Sequence, residues 1–128
     1  MNFKTPDINQ SQFSGKVIKR NPADTLRRLP SGITVLNFSL AIMELDIDRN
    51  GIEYPRVSFA KFTVRDELAY KIAETIHKGD TVLVECKYRS WRTEKFDKVT
   101  VYGSEFLAEK ITLIKAGSEP KSELAVSP

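Results

Sequence analysis

A small all-β barrel carrying a single helix is the fold this sequence predicts. Apolar and polar residues alternate with period two in five or six separate segments. One stretch, and one only, repeats its apolar residues every four positions. The order of these segments is three strands, the helix, then two or three strands. With 128 residues the chain suits one domain with a modest core.

The first strand is read over Phe13 to Arg20. Phe13, Gly15 and Val17 alternate with Ser14, Lys16 and Ile18, and Asn21-Pro22 ends the run. Leu29-Pro30-Ser31-Gly32 is a turn by its proline and glycine. Ile33 to Ile42 follows as a long strand. Leu36, Phe38, Leu40 and Ile42 share one face; Val35, Asn37, Ser39 and Ala41 share the other. Asp46 to Gly51 reads as a polar loop, and Glu53 to about Phe62 as a third strand with Pro55 near its start.

The helix opens after Thr63, a residue suited to the N-cap, with Asp66 and Glu67 placed where the helix dipole favours acids. Leu68, Ile72 and Ile76 form its core stripe. His77 and Lys78 close its last turn, and Gly79 takes the C-cap. Strands are then expected at Thr81 to Trp91, at Lys98 to Tyr102 and around Leu107 to Ile114. Five strands with a helix between the third and fourth define the OB-fold, a five-stranded, partly open Greek-key barrel. Phe13, Val17, Leu36, Phe38, Leu40, Val57, Phe59, Val82, Val84, Val99 and Val101, with the helix stripe, can fill it. Residues 13–115 are assigned to this domain, 1–12 to a flexible arm and 116–128 to a short disordered tail rich in polar residues and proline.

Totals restrict the function. The net charge of +3 permits an anionic partner without requiring one. No apolar run has the length of a membrane span, and the N-terminus has no signal-peptide core, so an intracellular, cytoplasmic location is expected. Cys86 is alone, which excludes an intrachain disulfide and a cysteine zinc cluster, and it suits the core. His77 is the sole histidine and fits the helix surface. No nucleophile–base set and no phosphate loop are present, so neither enzyme activity nor a cofactor is expected. Asp46-Ile47-Asp48-Arg49-Asn50-Gly51 resembles half of a calcium loop, but Val57 stands where the bidentate glutamate belongs. A hairpin turn is the better reading.

The strand from Thr81 carries the functional signal. Val82, Val84, Cys86 and Tyr88 fall on one face; Glu85, Lys87, Arg89 and Trp91 fall on the other. Two cations beside the chain's only tryptophan suit bases and phosphates, or else the indole closes the end of the barrel.

Three blocks tie the chain to a known family. They are Gly15-Lys16-Val17 with Pro22 downstream; Leu29-Pro30-Ser31-Gly32 leading into Val35-Leu36-Asn37-Phe38-Ser39-Leu40-Ala41; and Lys78-Gly79-Asp80-Thr81-Val82-Leu83-Val84-Glu85. With Trp91 near the end of the following strand, the chain resembles the bacterial single-stranded DNA-binding proteins over about Phe13 to Ile114. The resemblance implies single-stranded DNA wrapped on stacking aromatics and basic side chains, in a homo-oligomer, tetramer or dimer, serving replication, recombination or repair. It places Trp91 as a stacking tryptophan and Tyr54 where the family often has one. Phe59 or Phe62 matches a stacking phenylalanine; alternation from Tyr54 and Arg56 favours Phe62 for the wet face and Phe59 for the core. Asn37 and Ser39 match DNA-facing polar groups.

Basic residues complete the expected surface: Lys16, Lys19 and Arg20 near the first strand, and Arg92 and Lys95 around Phe96 in the last loop. Phe96 is either a second stacking platform or folded back on the barrel. The sequence departs from the family in the loop after the second strand, where Met43-Glu44-Leu45-Asp46-Ile47-Asp48 is acidic and lacks an aromatic, and in Leu124-Ala125-Val126-Ser127-Pro128, which does not match the family's acidic tail tip. The alternative function is a primosomal-type or mobile-element accessory module acting through protein contacts.

Overall fold

The computed structural model describes residues 5–19, 26–96 and 98–117. Six strands and one helix occur among them. They are β1 (Ser11–Lys19), β2 (Leu26–Arg28), β3 (Thr34–Ile47), β4 (Glu53–Arg65), α1 (Asp66–Thr75), β5 (Thr81–Glu94) and β6 (Thr100–Lys115). The strands lie in the order β1-β5-β6-β4-β3-β2, and β1 also pairs with β3. That extra pairing closes a five-stranded ring, with β2 as an outer addition on β3. The helix lies between the third and fourth strands of the ring, as expected for the OB-fold. The closure is uneven: β4 meets β6 in parallel over only two residue pairs, Phe62 with Phe106 and Thr63 with Leu107.

β1 serves two partners. Ser11 to Lys16 pairs with β5, and Lys16 to Lys19 pairs with β3 through a register shift. The change of partner needs a close backbone approach at Gly15. A β-carbon there would lie 2.5 Å from the carbonyl oxygen of Ala41, so no side chain fits. β1 starts inside the segment read as an arm. Ahead of it, the Asn9 side chain donates to the Tyr88 carbonyl at 2.7 Å and accepts from the Tyr88 amide at 2.9 Å. It thus continues the β1–β5 ladder by one side chain.

Two long hairpins dominate the remainder. β3 and β4 pair continuously from Val35–Arg65 to Ile47–Glu53, further than the expected strand ends at Ile42 and Phe62. The polar loop shrinks to a turn in which Asp48 Oδ1 accepts from the amides of Asn50 and Ile52, with Gly51 at φ +79°. β5 and β6 pair to Glu94–Thr100. The two strands expected at Lys98 to Tyr102 and around Leu107 to Ile114 are one, β6.

The helix is shorter than its sequence signals. β4 continues to Arg65 because Val64 points into the core, so Thr63 is a strand residue and Arg65 occupies the N-cap without a side-chain cap. The helix stops at Thr75, and no basic residue lies in its last turn. His77 and Lys78 fall beyond it, and Gly79, at φ +97°, forms the turn that follows in place of the C-cap. Asp80 locks that turn. Its Oδ2 accepts from the His77 amide at 2.8 Å and its Oδ1 from the Gly117 amide at 2.7 Å. No helix among the described residues is long and apolar enough to cross a membrane.

The core gathers Val17, Leu36, Phe38, Leu40, Phe62, Val64, Val82, Val84 and Cys86 under Ala69, Ile72 and Ile76. Phe62 is its centre. Its ring lies 5.2 Å from Phe38, 5.7 Å from Phe13 and 6.0 Å from Phe106. Four expected core residues are outside: Val57, Phe59, Val99 and Val101 are exposed. Phe59 is on the outer face of the barrel, opposite Ala41, whereas Val57, Val99 and Val101 belong to hairpin segments beyond the barrel, where neither face has anything to bury against.

Candidate nucleic-acid interface

Strand register fixes which side chains share a surface. On β3 and β4, Asn37 opposes Thr63, Ser39 opposes Lys61 and Ala41 opposes Phe59. The Thr63 hydroxyl donates to Asn37 Oδ1 at 3.0 Å, which confirms that this pair points the same way. Thr63 adjoins Leu107 on β6, which opposes Lys87 on β5; Glu105 opposes Arg89, and Gly103 opposes Trp91. One outer face of the barrel therefore runs from Asn37 and Ser39 through Lys61 and Phe59 to Lys87, Arg89 and Trp91.

Phe59 and Trp91 are brought to one groove. It has a volume of about 460 Å³, and Asn37, Lys61, Tyr88 and Glu105 also line it. Trp91 is 46% exposed and Phe59 69% exposed, so both offer ring faces to solvent. The sequence preference for Phe62 is overturned here: Phe62 is 1% exposed and belongs to the core. Tyr54 and Arg56 share its strand parity and so fall on the other side of the β3–β4 hairpin. There the Tyr54 hydroxyl reaches Asp46 Oδ2 at 3.4 Å, and the Arg56 guanidinium lies 3.5 Å from the same oxygen. They do not join Asn37 and Ser39, which are themselves half-buried.

The basic residues divide in the same manner. Lys87 Nζ makes an ion pair with Glu109 at 2.9 Å, so its charge is partly compensated. Arg89, Arg92 and Lys61 are exposed and make no ion pair with a described residue. Lys16 is away from the aromatic groove. It lines a separate recess with Gly79, Thr81 and Lys115. Lys19 is the last residue of β1, and Arg20 lies outside the described residues. Lys95 and Phe96 form the tip of the β5–β6 hairpin, closed by the Lys95 amide donating to the Val99 carbonyl at 2.8 Å. The Phe96 ring is fully exposed rather than folded back.

Lys61 is the residue sequence reasoning missed. Its signal was Phe59-Ala60-Lys61: once Phe59 faces out, alternation sends Lys61 with it. Asp46 and Asp48, the acids of the calcium-like motif, are occupied by Tyr54, Arg56 and the turn amides.

A closed five-stranded barrel with aromatic and basic side chains along one face defines a class of OB-fold protein. Comparison with known proteins gives the family. The model of the single-strand binding protein family matches residues 8–114, and the chain belongs to that family. Over 80 residues it is 36% identical to a single-stranded DNA-binding protein of Paenarthrobacter aurescens, a match spanning 59% of this chain and 47% of that protein. It is 27% identical over 94 residues to one from Neisseria meningitidis, covering 73% of this chain and 54% of the other. The chain thus spans about half the length of the curated relatives it matches.

Solved structures that share the fold include two whose proteins are named for single-stranded DNA binding. A deletion mutant of the single-stranded DNA binding protein from Thermus aquaticus superposes with a TM-score of 0.70 at 21% identity, covering 84% of this chain and 51% of that one. Plasmodium falciparum SSB in complex with ssDNA gives 0.68 at 20% identity, covering 90% and 100%.

Proposed function

We propose that this protein binds single-stranded DNA without sequence preference, on the outer face that holds Trp91 and Phe59. The carrying observation is the shared groove: two exposed aromatics from different hairpins, with Lys61 in the same groove and Arg89 on the same face. Bases stack on Trp91 and Phe59, each stack worth about 1–3 kcal/mol, and every base has a flat face to offer. Lys61 and Arg89 neutralise phosphates and release counterions. Asn37 and Ser39 line the same path. Covering the bases blocks re-pairing, which protects a strand during replication, recombination or repair. The function is binding, not catalysis, and family membership supports that reading along with a homo-oligomeric assembly.

A fluorescence titration with poly-dT tests it. Trp91 emission should be strongly quenched, and affinity should fall steeply as salt rises. Unchanged emission at low salt would refute stacking on Trp91. The accessory, protein-contacting role is favoured by the acidic turn of the β3–β4 hairpin and by the exposed apolar strip Met43, Leu45, Ile47 and Val57 on its outer face. It predicts weak binding to every oligonucleotide.

A further inference from the structure

The inner face of the β5–β6 hairpin changes character where it leaves the barrel. Val82, Val84 and Cys86 fill the core, but the next residues of the same parity, Tyr88, Ser90 and Arg92, are exposed. Their partners across the ladder are Phe106, Ser104 and Tyr102. All of these but Phe106, together with Trp91 and Gly103, line a second recess, of about 580 Å³. Tyr102 is 74% exposed at its outer end, next to Arg92. Tyr88 packs edge-on against Phe106 at 5.9 Å, which holds the inner end rigid. Two serine hydroxyls lie between.

This recess is continuous with the groove described above. Trp91, Tyr88 and Ser104 line both. The charge differs between the two: Glu105 lines the first groove, whereas the lining of the second includes Arg92 and no carboxylate. An open cleft with aromatic residues at both ends, hydroxyls between them and a cation without an acid suits a nucleotide: base on ring, phosphate on guanidinium.

Resting on the single-strand reading, we infer that Tyr102 and Arg92 form a second nucleotide site, and that a bound strand crosses Trp91 from the Phe59 groove into it. The strand then continues along the hairpin toward Phe96. A short oligonucleotide fills the Phe59 groove alone; a longer one fills both. Tyr102 is too exposed for its replacement to disturb the fold.

The test is a titration with oligo-dT of stepped length, from about 4 to about 16 nucleotides, the span of single OB-fold sites. Wild type is compared with Tyr102→Leu and Arg92→Gln, and strands carrying 5-iodouracil are photocross-linked to the wild type. Each variant should bind the longer strands roughly ten-fold more weakly and the shortest binding strand as wild type does. A cross-link should form at Tyr102 with the longer strands only. Wild-type affinity of both variants at every length, or equal loss at every length, would overturn the second site and leave the first intact. Absence of binding by wild type itself would overturn both.

Discussion

The indole of Trp91 covers Gly103. The two residues are direct cross-strand partners, and a β-carbon added to Gly103 would lie 2.4 Å from Cε2 and 2.5 Å from Nε1 of the ring. Glycine inside a strand weakens it, so its presence here answers the need for close approach. The indole rests on the β6 backbone and remains half-exposed. It therefore presents a ring already positioned for a base, with little side-chain freedom left to lose on binding.

Gly103→Ala tests this relation. The methyl group cannot share the space, and the half-exposed indole is free to swing away, so the fold should survive. Oligo-dT affinity should drop about ten-fold, which corresponds to about 1.4 kcal/mol, one stacked base. The Trp91 emission maximum should shift in the free protein as well. Wild-type affinity with an unshifted spectrum would show that Gly103 does not set the indole.

The two phenylalanines of β4 should separate binding from stability. Phe59→Ala should weaken oligonucleotide binding about ten-fold with little change in unfolding midpoint. Phe62→Ala empties the centre of the aromatic cluster and should cost about 3–5 kcal/mol of stability, while any folded protein retains its affinity. Urea unfolding combined with the titration reads both. The opposite result would restore the wet face to Phe62.

This pair also shows where sequence reading stops. Inside the barrel, alternation was informative: Leu36, Phe38 and Leu40 are buried where predicted, as are Val82, Val84 and Ile72. The order of elements and the outward face of Lys87, Arg89 and Trp91 were legible for the same reason. Past the rim a strand has two wet faces, and apolar residues such as Met43, Leu45 and Val57 no longer mark the inside. Parity carried from Tyr54 and Arg56 inverts Phe59 and Phe62, because the Tyr54 and Arg56 side chains turn to Asp46 on the far side of the hairpin. Local capping rules put the helix ends at Thr63 and at His77 to Gly79, whereas the burial of Val64 and the grip of Asp80 decide the boundaries.

Tyr54→Ala and Arg56→Ala should change oligonucleotide affinity less than three-fold, a difference under about 0.7 kcal/mol. Both side chains turn to Asp46 on the far side of the hairpin. A loss as large as that of Phe59→Ala would mean that DNA wraps around the hairpin edge.

Asp80→Ala should destabilise the protein by about 2–3 kcal/mol, since it leaves the His77 and Gly117 amides without their carboxylate and Asp80 is buried. Asp80→Asn, which can still accept one of the two bonds, should recover part of the loss. Thermal or urea unfolding measures both, and equal stability of all three proteins would rule out the clasp.

Cys86 gives a prediction in pH. Burial, and secondly the charge of Glu109, push its thiol above the ordinary value. Its Sγ lies 3.7 Å from the Ser11 carbonyl oxygen, and the residue is fully enclosed. In the unfolded chain the thiol ionises near its ordinary pKa; in the native chain it holds its proton to higher pH. Above that pKa the unfolded state binds fewer protons, so stability falls as pH rises, and below it Cys86 contributes no slope. The urea midpoint of wild type should therefore decline between about pH 8 and pH 10 more steeply than that of Cys86→Ala, although the variant is less stable at neutral pH. Thiol reagents at pH 8 should react only as fast as the protein opens. Parallel midpoints over that range, or rapid labelling of the native protein, would mean that the thiol is reachable from solvent and ionises as in a free chain.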